Sequence, residues 1–118
     1  THFVDVTGLS SDNRGTARDM ALLARTALTH RDVRSATGKG VTYVQLLNRN
    51  QVFRVPTTNE LITEGIKTLG KTGYLPEVGY NLVLLKQQNN KPIVFVILGA
   101  VSNEERFELG RRLLERPW

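Results

Sequence analysis

The sequence predicts a domain in the α/β class, of the α+β type, in which an antiparallel sheet packs with helices. Three observations carry this prediction: an amphipathic helical pattern over residues 16–30, two predominantly apolar runs at 80–86 and 92–100 around a short polar turn, and a second amphipathic pattern after Ser102. A chain of 118 residues has room for one domain with its own core. We therefore expect residues 1–118 to form a single domain segment.

The N-terminal half is predicted to contain a helix, a loop, a strand and an irregular segment that crosses the surface. Thr16 opens a capping box, and the apolar stripe behind it predicts a helix over residues 16–30. Residues 31–40 are polar and contain glycine, so we expect a loop there. The β-branched run at 41–47 predicts a strand. Residues 48–60 mix turn-forming residues with a proline and are expected to cross the surface.

The C-terminal half is predicted to contain a three-stranded meander. Residues 66–74 supply its first strand, and the sequence LPEV forms the turn that follows. The runs at 80–86 and 92–100 form the next two strands, and Asn89-Asn90 between them suits a tight hairpin turn. We expect these last two strands to be antiparallel neighbours.

A last helix is predicted after the third strand of the meander. Either Ser102 or Asn103 can cap its first turn. Its inward-facing side chains are expected to be Phe107, Leu109, Leu113 and Leu114. Three aromatic side chains from the strands are also expected in the core, namely Tyr43, Tyr80 and Phe95.

The composition narrows the classes of function. The formal net charge is +5, but the basic residues are scattered with few aromatic residues between them, so a solvated surface is favoured over a nucleic-acid site. Cysteine is absent, which excludes disulfides, thiolate metal sites and a cysteine nucleophile. His2 and His30 lie far apart in the sequence, with no carboxylate at ligand spacing. We expect no metal, no other cofactor and no nucleic-acid partner.

One short segment matches two motifs that make opposite structural demands. Gly65, Gly70, Lys71 and Thr72 fit the nucleotide-binding pattern G-x-x-x-x-G-K-[ST], whereas Lys71 to Gly73 spell the K-T-G triplet of penicillin-recognising serine enzymes. The nucleotide-binding motif requires a helix that begins at the lysine. A proline lies only 5 residues after that lysine. Because proline inside a helix costs about 3 kcal/mol, an extended strand is favoured.

The blocks around the triplet resemble those of a known family. GKTGYLPEVGYNLV is similar to the K-T-G-Y-x-x-E-A-G-Y-N-L-V block of low-molecular-weight penicillin-binding proteins, the serine D-alanyl-D-alanine carboxypeptidases and endopeptidases. THFVDVTGLSSDNRGTARDMALLARTAL, LLNRN and VFVILGA resemble further blocks of that family in the same order. The departures are Asp5 where asparagine is usual, Val78 where alanine is usual, and a second pair, Lys67-Thr68, upstream. The resemblance implies the C-terminal portion of the serine β-lactamase or D,D-peptidase (transpeptidase) fold.

The resemblance also implies roles for five residues. Lys71 would supply positive charge to the substrate's terminal carboxylate and to proton transfer, and Thr72 would hydrogen-bond that carboxylate. Gly73 would keep the wall of the site clear, and the backbone N–H of Tyr74 would be one of two oxyanion-hole donors. Arg106 matches an arginine with which carboxypeptidases of the family hold the carboxylate. An arginine on a final helix is equally compatible with a solvated surface position.

The nucleophile that this family uses is absent from the sequence. No serine has a lysine three residues later, as the family's S-x-x-K motif demands. Ser11 to Asn13 spell S-x-N, but they lie where the family has a turn ahead of the helix, so we expect an Asx-type turn. In the family both motifs lie upstream of the segment that begins at Thr1. We therefore expect that sequence has been removed upstream and that this chain is inactive alone.

Two hypotheses follow for the function. The first is part of a penicillin-binding serine D,D-peptidase that cleaves D-Ala-D-Ala or cross-link bonds of peptidoglycan stem peptides through an acyl-enzyme. Its partners would be stem peptides, β-lactams and the N-terminal part of the same peptidase, in the periplasm or elsewhere in the extracytoplasmic cell envelope of a bacterium. The second is a noncatalytic module that binds a peptide or a partner protein. The sequence leaves open whether the peptidase is a carboxypeptidase or an endopeptidase.

Overall fold

The computed structural model describes all residues from Thr1 to Trp118. Its elements are, in chain order, α1 (Ala17–Ala27), α2 (Arg31–Thr37), β1 (Val41–Gln45), β2 (Val52–Pro56), α3 (Glu60–Thr63), β3 (Leu69–Leu75), β4 (Gly79–Gln88), β5 (Lys91–Ala100) and α4 (Asn103–Glu115). The strands form two antiparallel sheets, a β1-β2 hairpin and a meander in the order β3-β4-β5. The predicted class, an antiparallel sheet packed with helices, is confirmed.

The meander is the framework of the fold, with β4 at its centre and β3 at one edge. In the β4-β5 hairpin, Leu82 lies opposite Ile97 and Leu84 lies opposite Phe95. The connecting residues Asn89 and Asn90 have φ angles of 51° and 60°. Positive φ at both central residues is the conformation that a two-residue hairpin turn requires, and asparagine tolerates it. The predicted hairpin is confirmed, with each strand slightly longer than expected.

One face of the meander is buried against α4. The core contains Leu82, Leu84, Phe95, Ile97 and Ala100 from the sheet, together with Leu61, Phe107 and Leu114. Alternate residues along a strand face the same side, so Leu82 and Leu84 of β4 share this face with Phe95 and Ile97 of β5, whereas Leu85 is buried on the other face. Gly110 allows the helix to approach closely, since a Cβ there would lie 3.1 Å from side-chain atoms of both Leu82 and Leu84.

The helix termini follow the predicted capping signals. Thr16 caps α1, and its hydroxyl accepts a hydrogen bond from the backbone N–H of Asp19 at 3.1 Å. Ser102 caps α4 in the same way, with Glu105 N–H as the donor at 3.1 Å. α1 ends at Ala27, earlier than the predicted residue 30, and packs along β5.

Two segments expected to be irregular are regular, and these predictions were wrong. Residues 31–40 contain α2, which ends at Thr37 with Gly38 as its C-cap. Residues 48–60, predicted to cross the surface, contain β2, which pairs with β1. Both elements are short and almost entirely exposed, and β2 lies between turn-forming residues, so neither shows a sustained hydrophobic period in the sequence. The proline of β2 is its last residue and lies in an edge strand, where a missing N–H is tolerated.

Two of the expected core positions also differ from the prediction. Tyr43 is 67% exposed because the β1-β2 hairpin lies outside the core cluster. Leu109, expected to face inward on α4, is 37% exposed, whereas Phe107 and Leu114 are buried as predicted. None of the four helices combines the length and the apolar composition needed to cross a membrane.

Candidate active-site strand

The K-T-G triplet lies in the middle of β3, the edge strand of the meander. Lys71, Thr72 and Gly73 pair with Val83, Leu82 and Asn81 of β4, and the opposite edge of β3 pairs with no other strand. Because β3 continues to Leu75, no helix begins at the lysine. The nucleotide-binding motif therefore lacks the helix on which phosphate binding depends. An edge strand instead offers unpaired backbone groups to an extended ligand.

Alternation along β3 separates the side chains of the triplet. Thr72 lies opposite Leu82, on the face that packs against α4, and is only 7% exposed. Lys71 and Gly73 are exposed and share the other face. The Lys71 ammonium donates a hydrogen bond to the carbonyl oxygen of Thr72. The strand thus presents a cation and a glycine on one face, with a hydroxyl on the other.

The two glycines of β3 have different surroundings. A Cβ on Gly70 would lie 2.5 Å from the carbonyl oxygen of Val83 and 3.0 Å from Nδ2 of Asn59, so this position has no room for a side chain. A Cβ on Gly73 would meet only the side chain of Asn81, at 3.6 Å, which is ordinary van der Waals contact. Gly70 is therefore required by packing, whereas Gly73 leaves the exposed wall of the strand clear.

The Thr72 hydroxyl has one side-chain partner, which sequence reasoning missed. Oγ1 of Thr72 lies 2.5 Å from Oγ1 of Thr58, and either hydroxyl can be the donor. Thr58 is exposed and lies just before α3. The only sequence signal at this position was a run of turn-forming residues, which does not indicate a contact with a strand 14 residues away.

Tyr74 closes the end of β3 through an aromatic pair. Its side chain lies directly opposite Tyr80 of β4, and the two ring centroids are 4.4 Å apart with an interplanar angle of 30°. Cross-strand aromatic pairs of this kind stabilise a sheet locally. Tyr74 is 52% exposed. The pair thereby holds the backbone segment to which the oxyanion-hole role was assigned.

Arg106 is buried beside the triplet, so the solvated surface position considered from the sequence is wrong. The residue is only 6% exposed, and its guanidinium lies between the rings of Tyr80 and Phe107, at 5.2 and 4.8 Å. Nη1 donates hydrogen bonds to the carbonyl oxygens of Gly73, at 3.1 Å, and of Asn81, at 3.3 Å. These contacts join α4 to the end of β3.

The charge of Arg106 is balanced only at a distance. Nη2 donates to Oδ1 of Asn103 at 2.5 Å, and Nδ2 of Asn103 donates to Oε1 of Glu60 at 2.6 Å. Burial lowers the pKa of the Arg106 guanidinium, and the nearby charge of Glu60 opposes that shift. Nε is buried and has no hydrogen-bond partner. The guanidinium therefore has donor capacity that the chain itself leaves unused.

Asn81 connects the ends of all three strands, a role that sequence reasoning did not assign. Its Oδ1 accepts a hydrogen bond from Gly99 N–H at 2.9 Å, while its own carbonyl accepts from Arg106. The β4-β5 register shifts between Tyr80 and Leu82, so Asn81 occupies an irregular position. Gly79 and Gly99 both have positive φ, at 83° and 69°. The only sequence signal that could have pointed to Asn81 was the G-Y-N part of the family-like block, at residues 79–81.

The second Lys-Thr pair does not share this geometry. Lys67 and Thr68 precede β3, and the Thr68 hydroxyl donates inward to the carbonyl oxygen of Leu85 at 3.0 Å. Thr68 is 8% exposed. Its hydroxyl is thus committed to the protein interior, and the Lys67-Thr68 pair lies outside the strand that contains the K-T-G triplet.

The S-x-N sequence near the N-terminus lies in a turn, but the turn is not of the predicted Asx type. Asn13 N–H donates to the carbonyl oxygen of Ser10 at 3.2 Å, and Asp12 N–H donates to the Ser10 hydroxyl at 3.2 Å. Asn13 Oδ1 accepts a hydrogen bond from Val4 N–H at 2.8 Å, and Asn13 Nδ2 donates to Oδ1 of Asp5 at 2.9 Å. That side-chain hydrogen bond is the main reason why the pKa of Asp5 is lowered. Asn13 therefore holds the N-terminal loop. No three His, Cys, Asp or Glu side chains lie close enough together to hold a metal ion.

Comparison with known proteins identifies the family. The family model for D-alanyl-D-alanine carboxypeptidases matches residues 1–102. The chain belongs to this peptidase family. It is 32% identical over 120 residues to a D-alanyl-D-alanine endopeptidase of Haemophilus influenzae, covering 98% of this chain and 40% of the relative. It is 31% identical over 121 residues to the D-alanyl-D-alanine carboxypeptidase DacA of Escherichia coli, covering 97% of this chain and 28% of that relative.

Solved structures support the same fold for this D,D-peptidase chain. It resembles penicillin-binding protein D2 of Listeria monocytogenes, solved in a cefotaxime-bound form, with a TM-score of 0.79 and 28% identity over 98% of this chain and 47% of that one. A mutant of a Streptomyces DD-transpeptidase matches with a TM-score of 0.74 and 21% identity, over 83% of this chain and 40% of that one. The chain thus spans less than half of the length of these relatives and structures.

Proposed function

We propose that this chain forms the K-T-G wall of a penicillin-recognising serine D,D-peptidase. That enzyme would cleave D-Ala-D-Ala or cross-link bonds of peptidoglycan stem peptides through an acyl-enzyme. The observation that carries the proposal is β3 itself, an edge strand with exposed Lys71 and Gly73. Membership of the D-alanyl-D-alanine carboxypeptidase family supports it.

The ligand would lie in an extended conformation along the free edge of β3. An edge strand can pair with a peptide backbone, and a clear position at Gly73 lets the two backbones approach. Lys71 would supply positive charge to the C-terminal carboxylate and to proton transfer, and the Thr72 hydroxyl would donate to the same carboxylate. The backbone N–H of Tyr74 would be one of two donors to the oxyanion that forms during acyl transfer.

Arg106 would add a second positive charge behind the strand. Its guanidinium contacts the carbonyl oxygen of Gly73, so its charge lies within one residue of Thr72 in β3. A carboxylate near this position would also reduce the cost of burying a cation whose nearest acid, Glu60, is reached only through Asn103.

The nucleophile would come from an S-x-x-K segment outside these 118 residues, together with the S-x-N motif. No serine of the chain has the required lysine. The chain would therefore act as one domain segment with the N-terminal part of the same peptidase, and alone it would not turn over substrate. Because stem peptides lie outside the cytoplasm, the enzyme would work in the bacterial cell envelope. The cefotaxime-bound neighbour supports β-lactams as ligands.

The noncatalytic alternative receives no support from the relatives. Eight similar curated proteins are each named as a D-alanyl-D-alanine carboxypeptidase or endopeptidase. Both names occur among them. An assay that distinguishes cleavage of a terminal D-Ala from cleavage of a cross-link therefore needs a substrate of each kind. A pentapeptide stem and a cross-linked stem dimer serve this purpose.

The test is acylation of the polypeptide that contains these residues together with the S-x-x-K segment. Incubation with a labelled penicillin should add one penicilloyl group by intact mass. Lys71→Met should slow this acylation by at least about a hundredfold, the scale on which electrostatic groups at such sites act. Lys67→Met is the matched control, because this exposed lysine belongs to the other Lys-Thr pair, and it should acylate normally. Saturable binding of stem peptides without any adduct would instead establish the noncatalytic module.

A further inference from the structure

We infer that Thr58 is a positioning residue that fixes the direction of the Thr72 hydroxyl. This inference rests on the proposed function, in which Thr72 donates a hydrogen bond to the substrate carboxylate. The two hydroxyl oxygens lie 2.5 Å apart, and neither hydroxyl group makes another hydrogen bond. Neither composition nor family resemblance assigned a role to Thr58.

The proton count of the pair determines which hydroxyl must donate. Each hydroxyl has one proton and two acceptor lone pairs. If Thr72 gives its only proton to a carboxylate, it can meet Thr58 only as an acceptor, so Thr58 must donate to Thr72. Thr58 O–H then donates to the Thr72 oxygen, and Thr72 O–H donates to the carboxylate. Hydrogen bonds arranged in one direction polarise and strengthen one another.

The backbone on either side of Thr58 is anchored, which makes the residue suitable for this task. Before it, Thr57 N–H donates to the carbonyl oxygen of Gly40 at 2.8 Å, and Thr57 Oγ1 accepts from Asn59 N–H at 3.1 Å. After it, Asn59 is 2% exposed and caps α3 by accepting a hydrogen bond from Leu61 N–H at 3.3 Å. Leu61 is fully buried in the core. Thr58 is thus an exposed side chain on a fixed segment.

The benefit of the pair is preorganisation. Without Thr58, the Thr72 hydroxyl would rotate among several directions, and its proton would have to be reoriented when the ligand binds. Groups held in the productive direction before binding avoid that cost. Loss of the Thr58 hydroxyl should therefore weaken carboxylate recognition without affecting contacts elsewhere along β3.

The test uses the polypeptide that contains these residues together with the S-x-x-K segment, and it compares two substrates that differ only at the C-terminus. Thr58→Val should lower kcat/KM about tenfold for a stem peptide ending in D-Ala-D-Ala, the scale of one modest hydrogen bond. It should leave kcat/KM nearly unchanged for the corresponding C-terminal amide, which lacks the carboxylate. Thr58→Ser keeps the hydroxyl and should retain the discrimination between acid and amide. Urea unfolding of each variant checks that it folds, and Thr58→Ala against Thr58→Ser repeats the comparison if the valine variant is unstable.

Thr72→Val separates failure of this inference from failure of the proposed function. If Thr72→Val does not reduce the preference for the acid, Thr72 does not bind the carboxylate and that part of the proposed function fails. If Thr72→Val removes the preference and Thr58→Val does not, the inference about Thr58 fails alone. A larger effect of Thr58→Val than of Thr72→Val would also overturn it, since Thr58 would then contact the carboxylate itself. In the double variant, Thr58→Val should add little to Thr72→Val.

Discussion

Arg106 of α4 donates a hydrogen bond to the carbonyl oxygen of Gly73 in β3, over a distance of 3.1 Å. The two residues are 33 positions apart in the sequence. The contact lets the last helix of the chain hold the backbone of the K-T-G triplet from the buried side. Since the same guanidinium also donates to the carbonyl oxygen of Asn81, one side chain ties β3 and β4 together at the end of the candidate site.

Arg106→Met should destabilise the protein by about 1–3 kcal/mol, because it leaves the partly buried hydrogen bonds to the carbonyl oxygens of Gly73 and Asn81 without their donor. Arg106→Lys should recover only part of that loss, since an ammonium lacks the planar fork that reaches several acceptors at once. Urea unfolding measures both effects. Arg112→Lys, on the same helix but 69% exposed, is the control and should not move the midpoint. A stable Arg106→Met variant would show that the guanidinium does not support β3.

Gly70→Ala and Gly73→Ala should separate packing from function within one strand. Gly70→Ala should cost about 1–3 kcal/mol of stability, because its Cβ would lie 2.5 Å from the carbonyl oxygen of Val83. Gly73→Ala should unfold at nearly the wild-type urea concentration, since its Cβ would make only ordinary contact with Asn81. It should nevertheless slow acylation by penicillin, because the methyl group would occupy the wall along which the ligand lies. Equal stability losses in both variants would contradict this distinction.

The elements that were predictable from the sequence are those that bury an apolar stripe. β4 and β5 are apolar runs in which Leu82, Leu84, Phe95 and Ile97 are buried at alternate positions, and α4 buries Phe107 and Leu114 while Arg112 stays exposed. α2 and β2 are short and bury almost nothing, and the apolar residues of β2 end at a proline among turn-forming residues, so neither sequence has a sustained period that separates it from a loop. Local hydrogen bonds and strand pairing form them, and neither leaves a hydrophobic pattern.

The site was predictable only along the strand that carries its motif. The sequence identified β3 as extended because Pro76 and the nearby glycines exclude a helix there. The contacts that hold the triplet come from residues far away in the sequence, Thr58 and Arg106. No local pattern reports such contacts, because they depend on how α3 and α4 pack against the sheet. For the same reason, the burial of Arg106 could not be distinguished from surface exposure beforehand.

Asn90→Val should destabilise the β4-β5 hairpin by about 1–2 kcal/mol. Asn90 has a φ of 60°, in the left-handed region, where a β-branched side chain meets steric conflict that asparagine tolerates better. Asn90→Gly should adopt this turn with no more backbone strain than the wild type, because glycine has no Cβ. Thermal unfolding compares the three proteins. If valine proved neutral, the turn would not adopt the conformation seen here.

The ion pair between Glu64 and Arg111 predicts a specific pH dependence of stability. Arg111 contacts both carboxylate oxygens of Glu64, with Nε 2.9 Å from Oε2, and thereby joins the end of α3 to α4. The hydrogen bond from Arg111 is the main reason why the pKa of Glu64 is lowered in the folded protein. A lowered folded pKa means that the contribution is fully present above the unfolded pKa, about 4.3. It is lost as the pH falls through the folded pKa, because the unfolded chain then binds more protons.

Glu64→Gln should therefore lower the unfolding midpoint at pH 7 and reduce the drop in Tm between pH 7 and pH 3. The difference from the wild type should be small, since both side chains are more than a third exposed and solvent screens the pair. Glu77→Gln is the control, because that carboxylate lies in the exposed turn after β3 and makes no hydrogen bond or ion pair, so its pH profile should follow the wild type. High salt should reduce the difference in Tm between the wild type and Glu64→Gln, because it screens the ion pair. If Glu64→Gln kept the full wild-type drop between pH 7 and pH 3, the pair would not connect α3 to α4 in solution.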